Sequence, residues 1–280
     1  MQKFSRSCAV CFLLAFTSFA HAQPRPASRE RAAPLAFGET FTINSKILNE
    51  TRRVNVYLPP GYRESAETRL PVLYMPDGGM AEDFLHVAGL VQVSAGNGTM
   101  RPLLLVGVEN TERRRDLTGP TGNEGDKKIA PRVGGSGAFR RFIRDELMPQ
   151  VESRYRTTDE RAIVGESLAG LFVVETLLLE PDLFDTYVAI DPSLWWDGQR
   201  LVGEAAGRLR ARPPAGKTLY LVSSGEDAEA TRRFAEVLGK GAPPGLRWHY
   251  ERMPEEKHST VYHPAALRAF RAVFRPPAGR

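Results

Sequence analysis

The chain has 280 residues, enough for one domain with a sizeable core, and its 38 Lys and Arg against 33 Asp and Glu leave a net +5 spread along its length. No long basic block is present, which argues against a nucleic-acid binder. Both cysteines, Cys8 and Cys11, fall in an apolar leader, so disulfides, thiolate catalysis and cysteine metal sites are excluded from the rest of the chain.

Lys3 and Arg6 precede an apolar stretch, Cys8 to Ala20, that ends in Ala20-His21-Ala22. This is the pattern of a secretory signal, residues 1–22, cut after Ala22. A retained anchor is the alternative, but the run is shorter than the roughly 20 residues a membrane span needs. Cleavage removes Lys3 and Arg6 and no acid, which lowers the net charge to +3. Residues 23–37, opening "QPRPASRERAAP", lack hydrophobic periodicity and are expected to be a flexible linker. Residues 38–280 show no internal repeat and suit a single α/β domain.

Within that domain, 41–48 and 52–59 predict two strands joined at Asn49-Glu50. The run "LPVLYMP" (70–76) is continuously apolar, as for a strand buried on both faces. Helical spacing follows over 82–93, a second buried strand over 102–109, and a long polar loop over 110–137. Phe139, Phe142, Ile143 and Leu147 mark a helix over 138–155. Strand 161–165 then meets helix 167–180, strand 187–191 meets helix 199–211, and strand 218–224 meets helix 229–239. Strand 246–253 and helix 264–274 close the chain. Such alternation predicts a mostly parallel sheet covered on both faces, with chemistry beyond the carboxyl ends of its strands.

One joint stands out. "IVGESLAGL" places Ser167 between a strand and a helix, with Gly165 and Ala169 two residues to either side. A sharp turn with small neighbours holds a serine oxygen clear of the backbone, as a nucleophile requires. The bland alternative is a turn residue or helix N-cap. A serine also needs a general base. His21 leaves with the leader, His86 lies on a helical stripe, His249 lies inside a strand and His263 starts a helix. His258, in the loop "PEEKHSTVYHP" after the last strand, is the expected base. A zinc pair of His258 and His263 lacks a third ligand, so no metal and no cofactor are expected.

An acid should orient the imidazole. In "SSGEDAE", after strand 218–224, Glu226 and Asp227 are both candidates. Glu226 is favoured as the orienting acid, with Asp227 as a helix cap, and the two remain open. The oxyanion donors are expected from the Leu168 N–H and from Gly79 in "MPDGGMAEDF", where Gly78 and Gly79 would let backbone approach a substrate. Trp195 and Trp196, just past strand 187–191, could stack on a ring, although one of the two could belong to the core. The run Arg113-Arg114-Arg115 could hold an anion or be a solvated loop.

The order Ser, acid, His on successive strand ends matches the α/β-hydrolase fold. "YMPDGGMAEDFLHVAG", "VGVENTERRRDLTG", "FRRFIRDELMPQVESRYRT", "AIVGESLAGLFVVETLL", "FDTYVAIDPSLWW" and "EEKHSTVYHPAALRAF" together resemble the putative-esterase, esterase D-like branch of that superfamily, which includes periplasmic siderophore trilactone esterases. The resemblance covers about residues 40 to 275. It implies Ser167 as nucleophile and His258 as base. It also implies a substrate cleft bordered by the loop of Arg115 and Asp116 and by Trp195-Trp196. Some members of the branch run on a Ser–His pair alone, which leaves Glu226 open. The expectation is a secreted or periplasmic serine esterase acting through an acyl-enzyme on a small ester, aromatic or anionic, such as a catecholate siderophore. An acyltransferase, a carbohydrate esterase or a non-catalytic binding protein on the same scaffold are the alternatives. No nucleic acid and no stable membrane insertion are expected.

Overall fold

A computed structural model describes Ala33 and residues 35–129, 132–226 and 228–277. The expected signal, 1–22, and most of the expected linker lie outside the described residues, as does Asp227.

The first two strands, β1 (Glu39–Ser45) and β2 (Glu50–Tyr57), form an antiparallel hairpin whose turn passes through Asn49 at φ 54°. Asparagine tolerates that left-handed conformation better than most residues. Strands β3 (Leu70–Met75), β4 (Leu104–Val108), β5 (Thr157–Glu166), β6 (Thr186–Ile190), β7 (Thr218–Ser224) and β8 (Arg247–Met253) complete one eight-stranded sheet. Its order is β1-β2-β4-β3-β5-β6-β7-β8. All pairs from β4 to β8 are parallel, while β2 runs antiparallel to β1 and to β4. This is the α/β architecture that the alternating pattern predicts.

The central strands are apolar throughout because both of their faces are covered. Val72, Tyr74, Ile163, Tyr187, Ala189, Leu219 and Leu221 point into one core, and Leu73, Met75, Ala162, Val164, Val188, Ile190 and Val222 into the other. The alternation follows the pleat, in which successive side chains take opposite faces. Helices α1 (Phe84–Gly96) and α9 (Tyr262–Val273) cover the second core. The first lies under α4 (Ser136–Phe142), α5 (Met148–Arg154), α6 (Leu168–Leu179), α7 (Trp196–Ala211) and α8 (Glu229–Gly241). The described residues from Phe37 onward make one unit around these two layers.

Two expected elements differ. The helix over 138–155 is interrupted by a π-helical turn, Ile143–Leu147, ahead of Pro149. Proline lacks an N–H and crowds the carbonyl four residues back, and a wider turn relieves both problems. The long polar loop contains two short helices, α2 (Arg113–Leu117) and α3 (Glu124–Ile129).

Register decides what meets at the top of the sheet. Glu166 of β5 pairs with Ile190 of β6, and Ile190 pairs with Val222 of β7. The residues just past these strands, Ser167, Asp191 and the turn after Ser224, therefore stand side by side, and the chain after β8 returns to the same rim.

Candidate active site

Ser167 occupies the turn between β5 and α6 with φ 59° and ψ −121°. A non-glycine residue there carries strain of roughly 1–3 kcal/mol, which surrounding structure must hold. The holding bonds are the Ser167 N–H to the Ile190 carbonyl, 3.1 Å, and the Ser193 N–H to the Ser167 carbonyl, 3.0 Å. Small neighbours are obligatory. A Cβ on Gly165 would lie 2.5 Å from the Ala169 carbonyl carbon, and one on Gly170 would lie 3.0 Å from the Ile190 carbonyl oxygen.

The turn points Oγ of Ser167 at the loop after β8, where His258 Nε2 lies 3.1 Å away. On the other side of the ring, Nδ1 is 2.6 Å from Oδ2 of Asp191. Asp191 follows β6 directly and also has a left-handed backbone, φ 42°. Its Oδ1 accepts the Ser224 N–H at 2.8 Å, and its Oδ2 accepts the Ser224 hydroxyl at 2.9 Å. Burial by itself would raise the Asp191 carboxyl. The bonds from His258 and from the Ser224 N–H and hydroxyl outweigh burial and hold it below its ordinary value. The His258 imidazole is raised, first by its bond to Asp191, against burial, and then by the charges of Glu166, Asp191 and Glu226. The arrangement can draw a proton from a hydroxyl onto Nε2 while a buried anion steadies the ring.

Four residues expected at the site have other partners in the structure. Glu226 does not reach the imidazole; its Oε2 accepts the backbone N–H of His258 at 3.0 Å. The acid at the ring is Asp191, because β6 lies next to β5, whereas the end of β7 supplies only donors to that acid. Gly79 does not offer a free N–H, since Oε2 of Glu82 accepts it at 2.7 Å while the Glu82 N–H returns to the Gly79 carbonyl at 3.0 Å. Gly78 donates to the Val108 carbonyl at 2.9 Å and lies so close to β4 that a Cβ there would sit 2.3 Å from Gly107. These glycines allow a close approach between β3 and β4. Arg115 is committed elsewhere: its Nε meets Asp116 at 2.7 Å and its NH2 meets Glu50 at 2.8 Å. Asp116 and Glu50 also hold Arg52, whose side chain is fully buried. Trp196 is core, 5% exposed, with its indole N–H donating to the Gly119 carbonyl at 3.1 Å.

Other residues fall where chemistry could use them. Trp195 is 42% exposed and lines a cleft of about 610 Å³ with Ser167, Ser193, Glu226 and His258. Leu168 opens α6, so its N–H has no intrahelical acceptor and lies at the positive end of the helix dipole. Ser193 Oγ is 3.4 Å from Ser167 Oγ. Arg113 forks onto Asp77 at 2.7 and 2.8 Å. Among the described residues the other histidines pack: His249 against Tyr220, and His263 against His86. Among the described residues no three His, Cys, Asp or Glu side chains converge as a metal cage. A larger hollow of about 680 Å³, lined by Thr186, Thr218 and Trp248, lies at the amino ends of β6–β8, the opposite end from Ser167.

Residues 45–261 match the model of a family described as Putative esterase. A curated relative, the ferri-bacillibactin esterase BesA of Bacillus subtilis, is 26% identical over 251 residues, covering 81% of this chain and 87% of its own. The siderophore triacetylfusarinine C esterase of Aspergillus fumigatus is 29% identical over 190 residues, 63% of each chain. The solved structure of an IroE-like serine hydrolase from Shewanella oneidensis superposes with a TM-score of 0.77 at 32% identity, over 85% of this chain and 80% of that one.

Proposed function

The chain belongs to the putative esterase family and hydrolyses esters, and from that premise we propose that it is a secreted serine esterase acting on a siderophore ester. The observation that carries the mechanism is the continuous path Ser167 Oγ to His258 Nε2 to Asp191, with steps of 3.1 and 2.6 Å.

Asp191 keeps a proton on Nδ1, so the neutral ring presents a lone pair at Nε2. Ser167 Oγ attacks the ester carbonyl carbon as its proton passes to Nε2. The tetrahedral oxyanion faces the start of α6, where the Leu168 N–H is a donor; the Ser193 hydroxyl is a second within reach. One well-aimed donor of this kind lowers the barrier by roughly 3–4 kcal/mol. The carbon–oxygen bond to the leaving alcohol then breaks, and that oxygen takes the proton from Nε2. Water repeats the sequence on the acyl-serine, giving the acid and restoring Ser167.

The names of the relatives support a siderophore as the ester. Trp195, exposed in the cleft, offers a face for stacking. The apolar leader supports export. A fluorophosphonate probe is expected to label the wild-type chain and not Ser167→Ala; equal labelling of both removes the nucleophile assignment. Turnover of ferric siderophore lactones is then compared with aryl esters and acetylated sugars. Lactone turnover no better than that of simple aryl esters removes the siderophore assignment.

A further inference from the structure

Glu166, between Gly165 and Ser167, is the last residue of β5, and its side chain is only 14% exposed. Its Oε1 lies 3.3 Å from Nε2 of His258, the same nitrogen that meets Ser167 Oγ. Asp191 accepts the Nδ1 proton, so a neutral ring has only a lone pair at Nε2. An ionised carboxylate has no proton to offer that lone pair. Contact is favourable in two forms: a Glu166 carboxyl donating O–H to Nε2, or an imidazolium donating Nε2–H to a Glu166 carboxylate. Both put one proton between Glu166 and the nitrogen whose lone pair must be free to receive the proton of Ser167.

The surroundings do not fix Glu166 as an anion. His258 faces it from the loop after β8. The charge of Arg113, from α2, also acts on it, but that guanidinium is forked onto Asp77. Asp77 and Asp83, from the segment after β3, add repulsion, with His86 bonded to Asp83 beyond. Tyr262 of α9 brings a buried hydroxyl with no hydrogen-bond partner. Burial, helped by Asp83 and Asp77 and opposed by His258 and Arg113, pushes the Glu166 carboxyl up to about 7.

Resting on the reading of Ser167 and His258 as nucleophile and base, we infer that Glu166 is a positioning residue that shares a proton with His258 and sets the lower pH limit of turnover. Loss of that proton to solvent leaves a bare Nε2 beside a carboxylate, which makes the ring a stronger base. When the Ser167 proton arrives on Nε2, the carboxylate steadies the imidazolium until the leaving oxygen takes the proton.

The test is kcat/KM for an aryl acetate between pH 5 and 9 in wild type, Glu166→Gln and Glu166→Asp. Removing an opposite charge at this distance lowers the imidazole by roughly one unit. The acid limb of Glu166→Gln should therefore move down by about one pH unit. One unit below the wild-type midpoint, its rate as a share of its own plateau should rise roughly fivefold. Glu166→Asp keeps the charge and should fall between the two. A lost plateau with an unmoved limb indicates a merely structural role and overturns the inference. If Glu166→Gln does not fold, an unmoved limb in Glu166→Asp has the same force. NMR titration of the His258 ring in Ser167→Ala, with and without the Glu166 change, reads the shift without turnover. Equal titrations overturn the inference while leaving the esterase reading standing. Full activity in Ser167→Ala overturns the esterase reading instead.

Discussion

Asp191→Asn separates the two acids around His258, because its outcome follows from which donors already surround the carboxylate. The Ser224 N–H points at Oδ1 from 2.8 Å and cannot turn away, so the asparagine oxygen must take that position. The amide NH2 is then forced to the Oδ2 side, where Nδ1 of His258 now lies 2.6 Å from a carboxylate oxygen. Facing a donor, Nδ1 has to accept, and the ring proton moves to Nε2. The ring can no longer receive the Ser167 proton, although every heavy atom keeps its place. The same change of tautomer in another serine hydrolase costs about 10⁴ in kcat, or about 5 kcal/mol of barrier. We expect a loss of that order for an aryl ester, a KM within a few-fold of wild type, and slow fluorophosphonate labelling. Stopped-flow acylation rates on purified, folded Asp191→Asn check this. A loss below tenfold would refute the assignment of Asp191 to the relay.

Glu226→Gln should lose less than tenfold in kcat, since an amide oxygen can still accept the His258 backbone N–H; a loss comparable to that of Asp191→Asn would return the role to Glu226. Gly165→Ala should destabilise the fold by about 1–3 kcal/mol in urea titration, because the new methyl would sit 2.5–2.7 Å from Ala169 atoms. Trp195→Ala should raise KM for an aryl substrate several-fold with little change in kcat, as expected for about 1 kcal/mol of lost stacking at an exposed ring. Glu166 also makes stability depend on pH. Its carboxyl rises from 4.5 to about 7 on folding. Unfolded, His258 already carries one proton up to its ordinary 6.5; folded, the pair keeps that shared proton to higher pH, because Asp191 and Glu166 raise the imidazole, so stability falls as pH rises above 6.5. Chemical denaturation at pH 5 and pH 8 should show that slope in wild type and a flatter one in Glu166→Gln.

Much of this architecture is legible in the residues. "LPVLYMP" and "PLLLVGVE" read as strands buried on two faces and are β3 and β4. Ser167 is legible because its oddity is local: small residues flank a strand-to-helix joint. His258 follows by its place beyond the last strand. Asp191 is harder to see. It ends an apolar strand in "YVAIDPS", and a lone acid at the carboxyl edge beside the serine strand is the available signal. Its value depends on β6 lying next to β5, a pairing that no local pattern states. Glu226 misleads because it does touch His258, but at the main chain. Trp195 and Trp196 are alike as a sequence pair. The left-handed turn through Asp197, Gly198 and Gln199 begins right after them, and one ring ends in the core and the other in the cleft.

The three relay groups are unevenly distributed along the chain. Ser167 and Asp191 stand on neighbouring strands linked by α6, whereas His258 arrives only after β8 has added itself to the edge of the sheet. A molecule whose final strand has not docked holds an oriented hydroxyl and its acid but nothing to take the proton, and so is inert. Competence to cut esters is thereby tied to the docking of the edge strand β8, which carries the imidazole's loop to the rim where the serine and its acid stand.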